Sequence, residues 1–253
     1  MCRAAIYLMI LLCIPHSRLL AQDLSAALTK LRNLEPQQFS ELKKRAKTGD
    51  ARAENSLGLA YAVGAGISAD QHEAVRWFVR AAAHGSEAAE NNLGVMYQLG
   101  RGVAQDLAQA TDWFRKGAEH GSLAAQSRLG SNYLRGSGAP RDYGEALKWL
   151  MVAALKGDPA SQNNLGFMYD HGCGVPKDGV QAVKWFSLAA EHGYMLAQNN
   201  LGIMYQKGGN GVTVDQIAAA KWYAKAAEQG CKSAPGGGPC MVAQSTTKNS
   251  NPF

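Results

Sequence analysis

Two short motifs near the start of the chain carry residue types that could do chemistry. Ser40-Glu41-Leu42-Lys43 sets a lysine one helical turn after a serine, and Lys47-Thr48-Gly49 follows closely. In penicillin-binding enzymes and β-lactamases a Ser-x-x-Lys carries the nucleophile, and a Lys-Thr-Gly faces it from elsewhere in the sequence. Here both triplets fall on one predicted helix, and no Ser-Asp-Asn occurs. One helix cannot supply a two-sided site, so no nucleophile is expected. His84, His120 and His192 share one position, just before a glycine. Packed helices lie about 8–10 Å apart, whereas zinc ligands sit about 2 Å from the ion. Neighbouring copies therefore cannot share a metal, and these histidines are expected as surface cations at helix ends. No Cys-x-x-Cys, His-Glu-x-x-His or phosphate-binding loop is present. Neither catalysis nor a metal or cofactor is expected.

The elements that hold these residues repeat. Leu-Gly recurs at Leu57-Gly58, Leu93-Gly94, Leu129-Gly130, Leu165-Gly166 and Leu201-Gly202, spaced 36 residues apart each time. A tyrosine stands three residues after each glycine: Tyr61, Tyr97, Tyr133, Tyr169 and Tyr205. All five tryptophans share another register: Trp77, Trp113, Trp149, Trp185 and Trp222. One extra residue in Gly208-Gly209-Asn210-Gly211 accounts for the longer last step. A fixed internal period of this length is the signature of a solenoid, in which each unit buries its apolar face against its neighbours.

Each copy reads as two helices. Helix A of the first copy covers Ala51–Val63 and helix B covers Asp70–Ala83. Asp50, Ser86, Ser122 and Asp158 are N-cap types ahead of helix A, while the fifth copy has Tyr194 there. Gly-x-Gly closes helix A, because glycine takes positive φ without strain. Asp70/Glu73, Asp106/Gln109, Asp142/Glu145 and Asp178/Gln181 read as capping boxes opening helix B, and Ala218 breaks the fifth. A glycine inside a helix costs about 1 kcal/mol relative to alanine, so the five Leu-Gly glycines require a close contact. Ala74, Ala110, Ala146, Ala182 and Ala219 are the expected facing residues, with the tyrosines and tryptophans filling the space between pairs.

These motifs together resemble the Sel1-like repeat family. The fourth copy matches nearly throughout: Gln162, Leu165-Gly166, Tyr169, Gly172-Cys173-Gly174-Val175, Asp178, Ala182, Trp185, Ala189-Ala190 and Gly193. The resemblance implies an all-α fold, a right-handed α/α superhelical solenoid of five 36-residue Sel1-like repeats similar to tetratricopeptide repeats. The repeats are expected at 50–85, 86–121, 122–157, 158–193 and 194–231, after an N-terminal half-repeat cap at 22–49. The resemblance also implies that helix A lines a concave face. The residues placed there are Asn55, Asn91, Asn163 and Asn199, then Val95, Phe167 and Ile203, then Gln98, Arg135, Asp170 and Gln206. Asparagine both donates and accepts, so such a set suits the main chain of a partner peptide.

The ends and the composition set the context. Met1-Cys2-Arg3 precedes an apolar run, Ala4–Ile14, too short to span a bilayer, and Leu19-Leu20-Ala21 offers a cleavage site. Residues 1–21 thus read as a signal peptide, implying export to the periplasm or beyond the cell. Of the five cysteines, Cys173, Cys231 and Cys240 lie past it, and a Cys231–Cys240 disulfide would close a Gly/Pro-rich loop. Residues 232–253 lack periodicity and are expected to be a disordered tail. The net charge of +6 includes Arg3 and Arg18, and Lys43, Lys44, Arg45 and Lys47 form one basic cluster with no recurrence, so nucleic-acid binding is not expected. The expected function is that of a non-enzymatic adaptor holding a protein or peptide partner on the concave face. Two alternatives are an envelope hydrolase, since some cysteine-rich Sel1-like proteins resemble this chain and carry a β-lactamase assignment, and a peptidoglycan- or glycan-binding module associated with the cell wall.

Overall fold

The computed structural model describes residues 36–229. Those residues form eleven α-helices and no strand; one isolated bridge joins Gly209 to Val212. They are α1 (Pro36–Lys47), α2 (Ala51–Val63), α3 (Gln71–Ala83), α4 (Glu87–Leu99), α5 (Leu107–Glu119), α6 (Leu123–Arg135), α7 (Tyr143–Leu155), α8 (Pro159–His171), α9 (Gly179–Glu191), α10 (Met195–Lys207) and α11 (Gln216–Glu228). The chain divides between Leu165 and Gly166, inside α8, into two compact units. In the first, α2 pairs with α3, α4 with α5, and α6 with α7, and each pair packs on the next. Helix α1 lies on α2, where Phe39 and Leu42 cover Ala46, Ala53 and Leu57. In the second unit α10 pairs with α11 and packs on α9. The fold is an all-α, α/α solenoid. The signal peptide, residues 22–35 of the cap, the Cys231–Cys240 pair and the tail lie outside the described residues.

The helix starts follow the expected capping. Asp50 accepts from the Ala53 N–H at 3.0 Å, Ser86 from Ala89 at 3.2 Å, and Asp158 from Ser161 at 2.8 Å. Tyr194 opens α10 without a side-chain cap. Helix A ends on left-handed glycines, with φ of 71° at Gly64 and 64° at Gly100. Gly102 and Gly138, second glycines of their turns, also have positive φ and meet a further constraint. A Cβ on Gly102 or Gly138 would run into the Gln71 or Leu107 carbonyl at the start of the preceding helix B. In the longer fifth turn the Asn210 carbonyl takes this place and accepts from the Gly179 N–H at 3.0 Å.

The capping boxes form only by half. Asp70 accepts from His72 and Glu73, and Asp106 from Gln109. The reciprocal bond is absent because the aspartate N–H already has a partner, the carbonyl of the repeat tyrosine. Asp70 donates to Tyr61 at 2.9 Å, Asp106 to Tyr97 at 3.0 Å and Asp215 to Tyr205 at 2.8 Å. Glu73 and Glu145 turn instead to Arg76 and Lys148. The fifth copy, with Ala218, keeps both remaining bonds.

The residue facing the helix-A glycine also differs from expectation. A Cβ at Gly58 would lie 2.6 Å from the Phe78 ring, and one at Gly166 2.6 Å from the Phe186 ring. Phe114, Leu150 and Tyr223 fill the same space over Gly94, Gly130 and Gly202. This register, one residue after the tryptophan, carries the largest buried side chains, with Phe114 and Leu150 fully buried. The small residues of the Ala74 register are buried beside it. Four tryptophans are half-buried at the rim, where cations stand over them: Arg80 on Trp77 at 4.8 Å, Lys116 on Trp113 at 4.2 Å, Lys148 on Trp149 at 5.1 Å and Lys225 on Trp222 at 4.4 Å. Trp185 is buried.

Replacing Gly94 with alanine therefore has opposing effects. Helix propensity gains about 1 kcal/mol, while forcing a methyl against the Phe114 ring costs about 1–3 kcal/mol. Gly94→Ala is expected to lower the urea midpoint, and adding Phe114→Leu is expected to recover part of the loss.

Candidate functional site

The helix-A face is built from residues three before, one after, and four and five after each Leu-Gly glycine. Such spacing places them along one stripe of the helix. In the first unit, α4 and α6 also touch directly, so helix-A faces of successive repeats adjoin there. Much of the asparagine register is engaged within the protein. Asn55 accepts from Asn92 of the next repeat at 2.9 Å, and Asn164, the residue after the register position Asn163, donates to Ser131 of the preceding repeat at 2.9 Å. Ser127, which replaces asparagine in the third copy, donates to Asp158 at 2.7 Å and accepts from Ser161. Asn163 is buried at 8% exposure. Beside this knot, burial pushes the Arg128 guanidinium down to about 10, Asp158 opposing the shift. Its stem is partly exposed, but the charged end is enclosed near the Phe114 ring.

Helix α4 is different. The side-chain oxygens of Asn91 and Gln98 are covered and, among the described residues, have no hydrogen-bond partner. Val95 lies between them on the same stripe, 7% exposed. Arg135 ends α6 with its side chain exposed. In the second unit Asn199 is buried, Ile203 is half-buried, and Gln206 accepts from the Tyr223 hydroxyl at 2.9 Å. Phe167 is 39% exposed and stacks on His171 with ring centroids 4.1 Å apart. Asp170 lies beside that imidazole at 3.4 Å.

A second constellation escaped the sequence reading. Four residues before each glycine stand Glu54, Glu90, Gln126, Gln162 and Gln198, all at most 4% exposed. Two are carboxylates, and the helix-end histidines close on them: His84 Nδ1 donates to Glu54 at 2.6 Å and His120 Nδ1 to Glu90 at 2.8 Å. Arg80 adds a second cation to Glu54 at 3.1 Å. The three glutamines donate to carbonyls of the preceding helix B, Ala118, Ala154 and Ala190. Lys156 then donates to the Gln126 oxygen, and Gln229 to that of Gln198. His192 bonds its own helix at Leu188. His84 and His120 are thus clasps on buried acids rather than merely helix-end cations. The signal in the sequence was the joint change from Glu/His to Gln/Lys at two registers 30 residues apart, legible once the two positions are known to touch.

The Ser40 and Lys43 pair shows no catalytic partner geometry: Lys43 stands over the Phe39 ring at 5.0 Å, and the Thr48 hydroxyl donates to Arg45. Among the described residues no group of three metal-ligating side chains occurs, and no helix is long and apolar enough to cross a membrane.

The sequence profile of the Sel1 repeat matches residues 51–86, 87–122, 123–158, 159–194 and 196–231. The chain belongs to the Sel1 repeat family. Proteins of this family commonly bind protein partners and typically act as non-enzymatic scaffolds. Among solved structures, this Sel1 repeat protein is similar to a protective antigen of uropathogenic Escherichia coli that displays an SLR fold, at 40% identity and a TM-score of 0.72. The match covers 78% of this chain and 42% of the antigen, so this chain spans under half of that protein. A Sel1 repeat protein from Oxalobacter formigenes is 32% identical with a TM-score of 0.70, over 78% of this chain and 74% of its own. Comparison with curated proteins finds no match.

Within these Sel1 repeats the two adjacent asparagines of α4 have unlike roles. Asn92→Ala removes an inter-repeat bond and leaves the Asn55 oxygen unmet, a loss of about 1–3 kcal/mol. Asn91→Ala deletes a covered oxygen that has no partner and is expected to leave stability level or raise it. Urea denaturation of the two single variants measures the difference.

Proposed function

We propose that this protein is an exported adaptor that holds an extended peptide segment of another protein on its helix-A face. The observation that carries this reading is the stripe Asn91, Val95 and Gln98 on α4, where two unmatched amide oxygens flank an apolar side chain. Asn91 and Gln98 are themselves only half-buried, and a side-chain amide can hydrogen-bond the main chain of an incoming segment. The spacing of i, i+4 and i+7 is that of anchors on one helix face. Arg135 adds an exposed cation on α6 that can meet an acidic group of the partner. Membership of a family whose proteins bind protein partners supports the same reading. In the second unit the exposed Phe167 offers an aromatic anchor of the kind that dominates interface energetics. Residues 1–21 are the proposed export signal, with the periplasm as the destination.

The test is capture from envelope extract by the full chain, followed by affinity measurement on the purified partner. The triple variant Asn91→Ala, Gln98→Ala, Arg135→Ala is expected to keep its helical circular dichroism and to lose roughly tenfold in affinity, about 1.4 kcal/mol. Equal affinity in the two forms would remove the α4 stripe from the interface. N-terminal sequencing of the mature protein from fractionated cells is expected to begin at Gln22 in the periplasmic fraction.

A further inference from the structure

The buried acid register divides the first unit into unlike junctions. Gln126 holds two bonds at once, donating to Ala118 of the preceding repeat and accepting from Lys156 of its own. An amide does both without charge. Glu90 occupies the same place in the second repeat, yet an ionised carboxylate cannot donate to the preceding helix. Its attachment is the clasp to His120, whose imidazole is 58% exposed while the carboxylate is 5% exposed. A buried anion is tolerated only when it is paired.

We propose that Glu90 and His120 form a pH-sensitive clasp that holds α4, and with it the stripe Asn91, Val95 and Gln98, more firmly while His120 is the charged imidazolium than when it is neutral. The other charges around the pair leave this dependence intact. On α5, Lys116 stands over Trp113 and not on Glu90. Glu119 on α5 and Glu87 on α4 are acids that act on His120 from its own helix and from the facing one. On α3, Arg80 and His84 are both committed to Glu54. On α6, Arg128 lies over Phe114. Among the described residues His120 is therefore the cation within reach of Glu90. The first repeat differs, since Arg80 is a second cation on Glu54 beside His84. The third repeat has no carboxylate in this register.

The hydrogen bond to Glu90 and its charge hold the His120 imidazole above its ordinary 6.5. A group whose folded value is raised contributes stability that is complete below its unfolded value and is lost as the pH rises through the folded one. The clasp is tightest below the His120 titration and loosens as the pH rises through it. A covered carboxylate is then left without its cation, directly beside Asn91 in sequence. Through the groove assigned under the proposed function, partner affinity falls over the same window.

The test reads α4 itself, so it stands or falls independently of any partner. Hydrogen–deuterium exchange of the full chain, corrected for intrinsic rates, is compared at about pH 6 and about pH 8.5, a window that brackets histidine titration. Protection of α4 amides is expected to fall several-fold across that window while that of α6 holds. Glu90→Gln is expected to flatten the response, and to move the His120 midpoint, followed by imidazole NMR, down toward 6.5. His120→Lys keeps the cation, as Lys156 does in the third repeat, and is expected to preserve α4 protection at the alkaline point. Equal α4 protection at both pH values, or a pH response that survives Glu90→Gln, would overturn the proposal.

Discussion

The contact between a helix-A glycine and the large side chain one residue after the helix-B tryptophan sets the distance within the helix pairs. Where Gly58 lacks a side chain, Phe78 lies against bare backbone, and the same holds for Gly94 with Phe114. Packed helices usually stand about 8–10 Å apart, depending on the residues at the contact. A missing Cβ favours the near end of that range, and the large ring fills the space that the close approach leaves. Other features follow from this approach. The tyrosine carbonyl, one turn past the glycine, comes within reach of the aspartate N–H that starts helix B. The tryptophan, one residue from the ring, is turned to the rim, where it stacks with a cation instead of closing the core.

Much of this was legible in the sequence. The helix-A bounds, the N-caps at Asp50, Ser86 and Asp158, and the uncapped start at Tyr194 were all readable, because caps depend on local residue types. The Leu-Gly period located the repeats for the same reason. What the sequence hid was partnership. Phe78, Phe114, Leu150, Phe186 and Tyr223 vary in type, so the invariant tryptophan beside them drew attention as the core residue. The half-formed capping boxes hid for a related reason: a local motif says nothing of a competing carbonyl contributed by another helix. The site residues were the least legible. Four asparagines look alike in one register, yet Asn55 is tied to Asn92 while Asn91 has an unmet oxygen. That distinction depends on whether the next copy presents a donor, which a single register cannot show.

The first unit carries two solutions to one problem, how to fill a covered polar position beside the core. Glutamine is neutral and donates its amide to the preceding helix, and Gln126 also accepts from Lys156. Glutamate needs a cation, and the chain supplies it from the last residue position of helix B, where the helix dipole also favours positive charge. A buried ion pair is weak grounds for stability by itself, since desolvation opposes its attraction. The carboxylate copies are therefore the more conditional joints, and the amide copies the more permanent ones. Both share a backbone frame, which is why the substitution between them leaves the fold unchanged.

The fifth turn carries one residue more than the others, with Asn210 at φ 51° and a small bridge from Gly209 to Val212. Asp215 nevertheless donates to Tyr205, and the Asn210 carbonyl still meets the start of α9. The added length is absorbed entirely between two fixed anchor points. Such a turn is a natural grafting port, where a displayed epitope or a new recognition loop can be spliced in without re-engineering the helices on either side.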